Sequence, residues 1–303
     1  MDAPLKLGTR GSPLAIAQAQ LTAAAIQAAH GLTVEIVTIV TTGDRVQDRP
    51  LAEIGGKALW TKELDAALLD NRIDFAVHSM KDVETRLADG IVIAAMLPRA
   101  DVRDRLIGAA SVEALPRAAR IGTSSPRRAA QLKALRPDVE PVMFRGNVAT
   151  RLAKLEAGEV DATLLAAAGL DRLGIDVGAA IPLATMLPAP AQGAVGITAR
   201  ADDAATLALL AAIDDAPTSA CVKLERGFLA ALVADCHSSV AALAMLADGA
   251  VEFRAEILLP DGSERRAAAF AAPAEAAADH VEALAADLLA AASPELRALF
   301  GHG

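Results

Sequence analysis

Three short segments of the sequence combine arginine with glycine, serine or threonine at the point where a predicted strand ends. They are residues 8–12 (GTRGS), 122–128 (GTSSPRR) and 145–151 (RGNVATR). In open α/β sheets, ligands lie at the carboxyl ends of strands, where helix N-termini offer unpaired N–H groups. Arginine adds a guanidinium that binds carboxylate or phosphate with two parallel hydrogen bonds. Each segment alone is equally compatible with solvated loop arginines, but three in equivalent positions favour an anion-binding cleft.

Phosphate is one candidate anion, but the sequence contains no P-loop. Gly55-Gly56-Lys57 ends as that motif does. However, Leu51 stands where the first glycine is required, and Ala58 stands where serine or threonine is required. The segment also lies in a predicted loop and not between a strand and a helix, so a nucleotide site of this kind is excluded.

A carboxylate directly follows another predicted strand. The segment His78-Ser79-Met80-Lys81-Asp82 places the Asp82 carboxylate beside an ammonium and a hydroxyl group. A fixed carboxylate in an otherwise cationic cleft can stabilise a cationic intermediate or carry a proton. The same spacing is compatible with an Asp–Lys surface pair at the start of a helix, so both interpretations stay open.

The two cysteines, Cys221 and Cys236, differ in their surroundings. Cys221 lies in an apolar helical pattern, where a free cysteine packs as a small hydrophobic residue. Cys236 lies in the polar turn Asp235-Cys236-His237-Ser238, which is as compatible with a reactive or modified thiol as with an ordinary one. The cysteines and histidines lack the spacing of a zinc site or a disulfide framework, so we expect no metal.

Composition indicates a globular chain with a core of small side chains. Of the 303 residues, 53% are hydrophobic, 22% are charged and only 2% are aromatic. The net charge of −9 and the scarcity of stacking aromatic residues disfavour binding to nucleic acid or to an anionic membrane surface. We expect no secretory signal at the first residues and no membrane span, and therefore a cytoplasmic protein.

Strands and helices alternate over the first two thirds of the sequence, which predicts an α/β fold with mainly parallel sheets and helices on both faces. Ser12 and Pro13 predict the N-cap and first turn of a helix that ends near Ala29. Residues 41–57 show no clear period and predict a long loop. The predicted strands are residues 5–8, 34–40, 74–78, 91–96, 120–122, 139–144 and 162–166, and the later helices are 59–71, 125–135, 147–157 and 167–173.

These elements form two blocks, which predict two α/β domains with a cleft between them. Residues 193–198 predict a strand that can return to the first block. After Pro217, a helix (219–233), a hairpin (251–259 and 264–270) and an Ala-rich helix (273–292) predict a third, smaller α/β domain. The predicted domains are residues 1–96 with 194–213, residues 97–193, and residues 216–303.

Seven motifs and a lone cysteine, in this order, make the sequence recognisable. They are TRGSPLA (9–15), GGKALWTKEL (55–64), HSMKD (78–82), GTSSPRR (122–128), RGNVATRL (145–152), LAAAGLDRLG (165–174) and AQGAVGI (191–197), followed by Cys236. Over nearly the whole chain, this set resembles the porphobilinogen deaminase family, also called the hydroxymethylbilane synthases. The resemblance implies three domains, two of them like the lobes of periplasmic binding proteins.

The resemblance also implies a reaction and a cofactor. Family members are transferases of tetrapyrrole (porphyrin and heme) biosynthesis that link four porphobilinogen molecules head to tail, release an ammonia each time, and yield hydroxymethylbilane. The chain grows on a dipyrromethane cofactor, which the enzyme builds from two substrate units and holds by a thioether to a cysteine, here Cys236. Loss of ammonia leaves an electrophilic cation that an anion stabilises, and the pyrrole carboxylates need arginines.

Residue roles carry over from the family at matching positions. Asp82 is implied to be the catalytic carboxylate. Residues implied to bind the cofactor are Cys236, Ser12, Lys81, Asp82, Thr123, Ser125, Arg127, Arg128, Arg145 and Gly146. Residues implied to bind substrate are Arg10, Ser12, Arg145, Asn147, Arg151, Arg172, Gln192 and Lys57, the last in a loop that covers the site.

We therefore expect a monomer whose partner is the small molecule porphobilinogen, with no nucleic-acid or membrane partner. The alternative from another class is a non-enzymatic protein that binds an anionic solute in its two lobes. That alternative usually requires an export signal, and it accounts for neither Asp82 nor Cys236.

Overall fold

A computed structural model describes residues 4–41, 61–235 and 237–301. Lys57, Cys236 and all but the first residue of the loop predicted over 41–57 lie outside the described residues. The chain divides into two compact units. Unit 1 consists of Met1–Ala100 and Gly193–Ser219, and unit 2 consists of Asp101–Gln192 and Ala220–Gly303.

Unit 1 contains a five-stranded sheet with the order β2-β1-β3-β10-β4. Its strands are β1 (Leu5–Thr9), β2 (Val34–Thr38), β3 (Phe75–Ser79), β4 (Ile91–Met96) and β10 (Val195–Arg200), and its helices include α1 (Pro13–His30), α2 (Lys62–Leu69) and α6 (Ala204–Ala211). β1 pairs in parallel with β2 and β3, whereas β10 lies antiparallel between β3 and β4. The predicted return of a later strand to the first block is thus confirmed.

Unit 2 contains a second five-stranded sheet with the order β7-β6-β8-β5-β9. The strands are β5 (Asp104–Ile107), β6 (Arg120–Gly122), β7 (Glu140–Val142), β8 (Ala162–Ala166) and β9 (Ala179–Ala180), and the helices are α3 (Pro126–Leu135), α4 (Val148–Glu156) and α5 (Ala167–Arg172). The parallel strands β6, β7 and β8 match the predicted strands, and the α/β class is confirmed. The antiparallel strands β5 and β9 were not predicted, because runs of four and two residues are too short to show a period.

The C-terminal part has a three-stranded antiparallel sheet, β11 (Val240–Ala247), β12 (Ala250–Leu258) and β13 (Arg265–Pro273). The helices α7 (Ala216–Ala231), α8 (Ala277–Ala291) and α9 (Pro294–Ala298) complete this part of the chain. The predicted hairpin corresponds to β12 and β13, but β11 was missed because its sequence, VAALAMLA, lacks polar alternation. Asp248 and Gly249, both at positive φ, form the tight turn that joins β11 to β12, and this Asp-Gly pair was the available hairpin signal.

The scarce aromatic residues concentrate in the C-terminal core. Phe228 meets Phe253 edge to face at a centroid distance of 5.7 Å, and Phe253 stacks on Phe270 at 5.4 Å. Elsewhere the cores consist mainly of aliphatic side chains, as the composition predicts. Among the described residues, no single helix is both long and apolar enough to cross a membrane, and only α6 and α7 together, bent by 114°, meet that test.

The turn between β12 and β13 packs against the C-terminal end of α3. Gly262 in this turn has a φ of 73°, and a Cβ atom on it would lie 2.4 Å from the backbone N of Ala134. No side chain fits at that distance, so the glycine is required both by its backbone conformation and by the close approach. The contact fixes the hairpin tip on the helix that carries Arg127 and Arg128.

Gly262→Ala is therefore expected to destabilise the protein more than Gly249→Ala. Both glycines have positive φ in turns of the same sheet, but a Cβ on Gly249 meets nothing within 4 Å. Gly249→Ala should cost about 1 kcal/mol for the left-handed conformation, and Gly262→Ala should cost about 1–3 kcal/mol more for the overlap with α3. Urea unfolding of both variants measures the difference, and equal losses would contradict the close contact.

Candidate active site

The first anion segment forms the N-terminus of α1 as its sequence predicts. Ser12 caps the helix by accepting a hydrogen bond from the backbone N of Ala15 at 3.3 Å, and Pro13 occupies the first turn. Thr9, at the end of β1, is buried and donates its hydroxyl to the carbonyl of Ala15 at 3.2 Å. These local bonds hold Arg10 between the strand end and the helix start.

The end of β3 is fixed from two sides, which positions Asp82. Gln18 of α1 donates to the Ser79 hydroxyl at 2.8 Å. Met80 is buried against Gly196 of β10, where any Cβ atom would overlap the Met80 sulfur. The backbone N of Met80 also donates to the carbonyl of Ala194 at 3.1 Å. The chain then turns through a short 3₁₀ helix, Met80–Asp82, in which Lys81 and Asp82 are half-buried.

These elements enclose a cavity of about 70 Å³ within unit 1. The polar side chains that line it include Arg10, Ser12, Gln18, His78, Ser79 and Asp82. One carboxylate and one guanidinium therefore share a small cavity with hydroxyl and amide groups. Such a cavity can bind an anionic group at Arg10 and stabilise a developing positive charge at Asp82.

His78 is the neutral member of this cavity. Its Nε2 lies 2.9 Å from the hydroxyl of Thr198 on β10, and the ring is buried. Burial, and then the positive charge of Arg10, lowers the pKa of His78 from 6.5 to about 4. The imidazole is therefore uncharged at neutral pH and adds no second cation beside Asp82.

In unit 2, the second and third anion segments meet because Gly122 carries no side chain. A Cβ atom on Gly122 would lie 2.6 Å from the ring of Phe144. Ser124 donates to the Phe144 carbonyl at 2.7 Å, and the backbone N of Thr123 donates to Val142 at 3.0 Å. The end of β6 is thereby joined to the segment that begins at Arg145.

Both segments lead into helices where the sequence predicts them, and each supplies the N-cap. Ser125 accepts from the backbone N of Arg128 at the start of α3, and Asn147 accepts from the backbone N of Thr150 at the start of α4. Gly146 has a φ of 123°, and a Cβ on it would overlap the Thr150 side chain. Arg151 donates from Nε to the Gly146 carbonyl at 3.0 Å, which closes the loop.

Arg127 and Arg128 are buried and converge on Asp104, a residue that sequence analysis missed. Their Nη2 atoms lie 2.9 and 2.7 Å from the two Asp104 oxygens. Burial raises the pKa of Asp104, but the two guanidiniums outweigh it and hold this pKa well below its usual range. Two cations face one anion, so the trio retains one net positive charge.

Arg127 and Arg128 are not the solvated loop arginines with which this segment alone is compatible, because both side chains are buried. The Nη atoms of both arginines donate to groups inside the protein. Besides the bonds to Asp104, Nη1 of Arg127 donates to the Leu187 carbonyl, and Nη1 of Arg128 donates to the Leu164 carbonyl. Within the described residues, the buried Nε atoms of both arginines have no hydrogen-bond partner.

Gln192 is also buried and directed at Asp104. Its amide donates to Asp104 at 2.9 Å and to the Val102 carbonyl at 2.7 Å. Arg172 lies at the end of α5, and burial lowers its pKa. The adjacent Asp171 is held by Arg105 at 2.9 Å. No sequence motif marked Asp104, because a lone aspartate at the start of a short strand carries no spacing signal.

Comparison with known families decides the identity of these segments. The family model "Porphobilinogen deaminase, dipyromethane cofactor binding domain" matches residues 5–208, and "Porphobilinogen deaminase, C-terminal domain" matches residues 219–290. The chain belongs to the porphobilinogen deaminase family. It is 58% identical to "Porphobilinogen deaminase" of Sphingopyxis alaskensis, over 99% of this chain and 97% of that protein. It is 53% identical to "Porphobilinogen deaminase" of Paracoccus denitrificans, over 89% of each chain.

Solved structures to which the chain is similar match it at low sequence identity. Immunogenic lipoprotein A from Vibrio vulnificus has a TM-score of 0.44 and 16% identity, over 73% of this chain and 99% of that one. "Methionine Binding Protein, MetQ" has a TM-score of 0.44 and 14% identity, over 71% of this chain and 91% of that one.

Cys236, which the resemblance implies to be the attachment residue, lies outside the described residues, but its neighbours are described. Asp235 accepts from the backbone N of His237 at 2.8 Å and donates its own backbone N to the Ser238 hydroxyl at 3.2 Å. The other cysteine, Cys221, is buried. In the described ranges, no group of three or more His, Cys, Asp or Glu side chains could hold a metal ion.

The lowered pKa of His78 predicts a specific pH dependence of stability. Between about pH 6.5 and pH 4 the unfolded chain binds a proton at His78 that the folded chain does not, so stability falls as pH decreases through this window. The loss from this residue should be on the order of 3 kcal/mol. His78→Gln should reduce that loss in urea unfolding across the window, whereas His280→Gln, at an exposed position, should not. Identical pH profiles for wild type and His78→Gln would contradict the prediction.

Proposed function

We propose that the protein links porphobilinogen molecules head to tail, releasing ammonia at each step, on a dipyrromethane primer attached to Cys236, to give hydroxymethylbilane. The observation that carries the proposal is the cavity in unit 1, where Asp82 and Arg10 lie together. It falls inside the region matched by the cofactor-binding family model. The product places the reaction in tetrapyrrole biosynthesis.

The donors in the described residues fit a cofactor with several carboxylates. In unit 1, Arg10 and Ser12 line the cavity, and Lys81 lies in the adjoining turn. In unit 2, the trio of Arg127, Arg128 and Asp104 keeps one net positive charge. The dipyrromethane, when bound, supplies the free pyrrole end to which substrate adds. Thr123, Ser125, Arg145 and Gly146 would hold it together with these residues.

Asp82 has the central chemical role in this proposal. When ammonia leaves the aminomethyl group of the substrate, positive charge develops on the pyrrole. A carboxylate already fixed at that position stabilises the charge without reorganising in the transition state. The bonds that hold Ser79 and Met80 provide this fixation, because they anchor the turn that ends at Asp82.

His78 and Arg10 set the electrostatics around Asp82. Because His78 stays neutral, the only described cation lining the cavity is Arg10. Arg10 can pair with a substrate carboxylate and leave the charge of Asp82 available to the cation that develops on the pyrrole. A charged imidazole there would compete with the substrate cation for the same carboxylate.

Substrate carboxylates are assigned to Arg145, Asn147, Arg151 and Arg172, and also to Lys57, which lies outside the described residues. Gln192 acts through Asp104, because its amide donates to that carboxylate from a fully buried position. We further propose the three domains predicted from the sequence, a monomeric cytoplasmic protein, and no nucleic-acid or membrane partner. The net charge of −9 supports the last point.

The intact mass of the purified protein should exceed its sequence mass by about two pyrrole units. Cys236→Ser should remove the excess and the activity, because the thioether needs the thiol. Cys221→Ser is the matched control. Because Cys221 is buried, this variant should keep the added mass. Mass spectrometry of the three proteins decides the point. A protein at bare sequence mass that still makes hydroxymethylbilane would overturn the attachment, and one that binds porphobilinogen without turnover would support a solute-binding protein.

Asp82→Asn should fold and carry the added mass but turn over at least about a hundredfold more slowly, because a neutral amide cannot stabilise the developing cation. Release of product from porphobilinogen gives kcat. Asp89→Asn, whose side chain is 99% exposed, is the control and should retain wild-type kcat. Near-normal turnover of the Asp82 variant would refute its catalytic role.

A further inference from the structure

Besides Asp104, unit 2 buries the carboxylate of Glu256 on β12, which none of the family motifs contains. The residue is 0% exposed. One of its oxygens accepts from Nε2 of Gln131 at 2.5 Å. The other accepts from Nε and Nη2 of Arg265 on β13, at 2.6 and 2.5 Å. Glu256 thus connects the C-terminal sheet to α3.

Gln131 continues this connection to Arg127. Its amide oxygen accepts from Nη1 of Arg127 at 2.9 Å, and its NH₂ group donates both to Glu256 and to the Leu187 carbonyl. A carboxylate can only accept and a guanidinium can only donate. The two charged neighbours therefore permit a single orientation of the amide between them.

We propose that Glu256 is a positioning residue that holds Arg127 in place through Gln131. Without the carboxylate, the Leu187 carbonyl is the one acceptor among the described residues that still binds the Gln131 NH₂ group, so the amide is held less firmly and its oxygen is directed less firmly at Nη1 of Arg127. One of the acceptors that fix the Arg127 guanidinium beside Asp104 would then be weakened. This inference rests on the proposed role of Arg127 in holding the carboxylates of the bound pyrrole chain.

A purely structural role for Glu256 is less able to account for the arrangement. The hairpin tip is already fixed on α3 by the close contact at Gly262. Buried ion pairs contribute little net stability, because desolvation of both charges offsets their attraction. Glu256 and Arg265 also cancel each other in charge, so the pair leaves the positive charge of the Arg127 cluster unchanged. Neither stability nor net charge therefore accounts for Glu256, whereas its hydrogen bond to Gln131 gives it a role in orienting that side chain.

The test compares Glu256→Gln, Gln131→Leu and the double variant. With kcat normalised to the fraction of chains that carry the dipyrrole mass, Glu256→Gln should lower kcat about five- to tenfold, the equivalent of one hydrogen bond. KM for porphobilinogen should stay within about twofold, because Arg127 would act on the covalently attached chain. The double variant should be no slower than Gln131→Leu alone. Glu252→Gln, exposed on the same strand, should match wild type.

Two results would overturn the proposal. If the losses of the single variants multiply in the double variant, Glu256 acts independently of Gln131. If Glu256→Gln carries the cofactor mass and keeps wild-type kcat, Glu256 positions nothing.

Should that variant not fold, Glu256→Asp gives the same test. It keeps the charge but moves the carboxylate away from Gln131, and an unchanged kcat again refutes the proposal. Failure of the proposed function is distinguishable, since wild type itself would then lack the added mass.

Discussion

The second unit depends on the ion pairs that the buried Asp104 carboxylate makes with two arginines. Two guanidiniums, Arg127 and Arg128, enter the interior only because this acceptor lies between them. Removing one partner of such a cluster typically costs about 3–5 kcal/mol, because an uncompensated charge stays buried. The cluster also sets the local charge. Its one excess cation lies at the start of α3, where a helix N-terminus already favours an anion.

Close backbone approach, and not bulky packing, brings segments to strand ends within each of the two units. Gly196 admits Met80 over β10, and Gly122 admits the ring of Phe144 over β6. In each case a Cβ atom would overlap the neighbour, so the absence of a side chain brings a functional segment to its strand end. A chain with 2% aromatic residues can build its site this way, because small residues allow short distances between elements.

The overall charge and the local charge have opposite signs. The sequence carries a net charge of −9, yet the Asp104 cluster is cationic. His78 follows the same logic in unit 1, since burial and Arg10 keep it neutral and limit the positive charge beside Asp82. The charge of a site therefore follows from burial and pairing, and the sum over the chain describes its outer surface.

The sequence by itself determined the family, the α/β class, and the local structure of the anion segments. Ser12 caps its helix as expected, and helices begin next to Ser125 and Asn147 where they were predicted, because caps and periodic patterns depend on residues a few positions apart. Only the tertiary structure decided the partners of the buried arginines. Asp104 lies 23 residues from Arg127, and Glu256 lies 125 residues from Gln131. No local pattern records such pairings, since they arise when separate elements of unit 2 pack and must satisfy each buried charge.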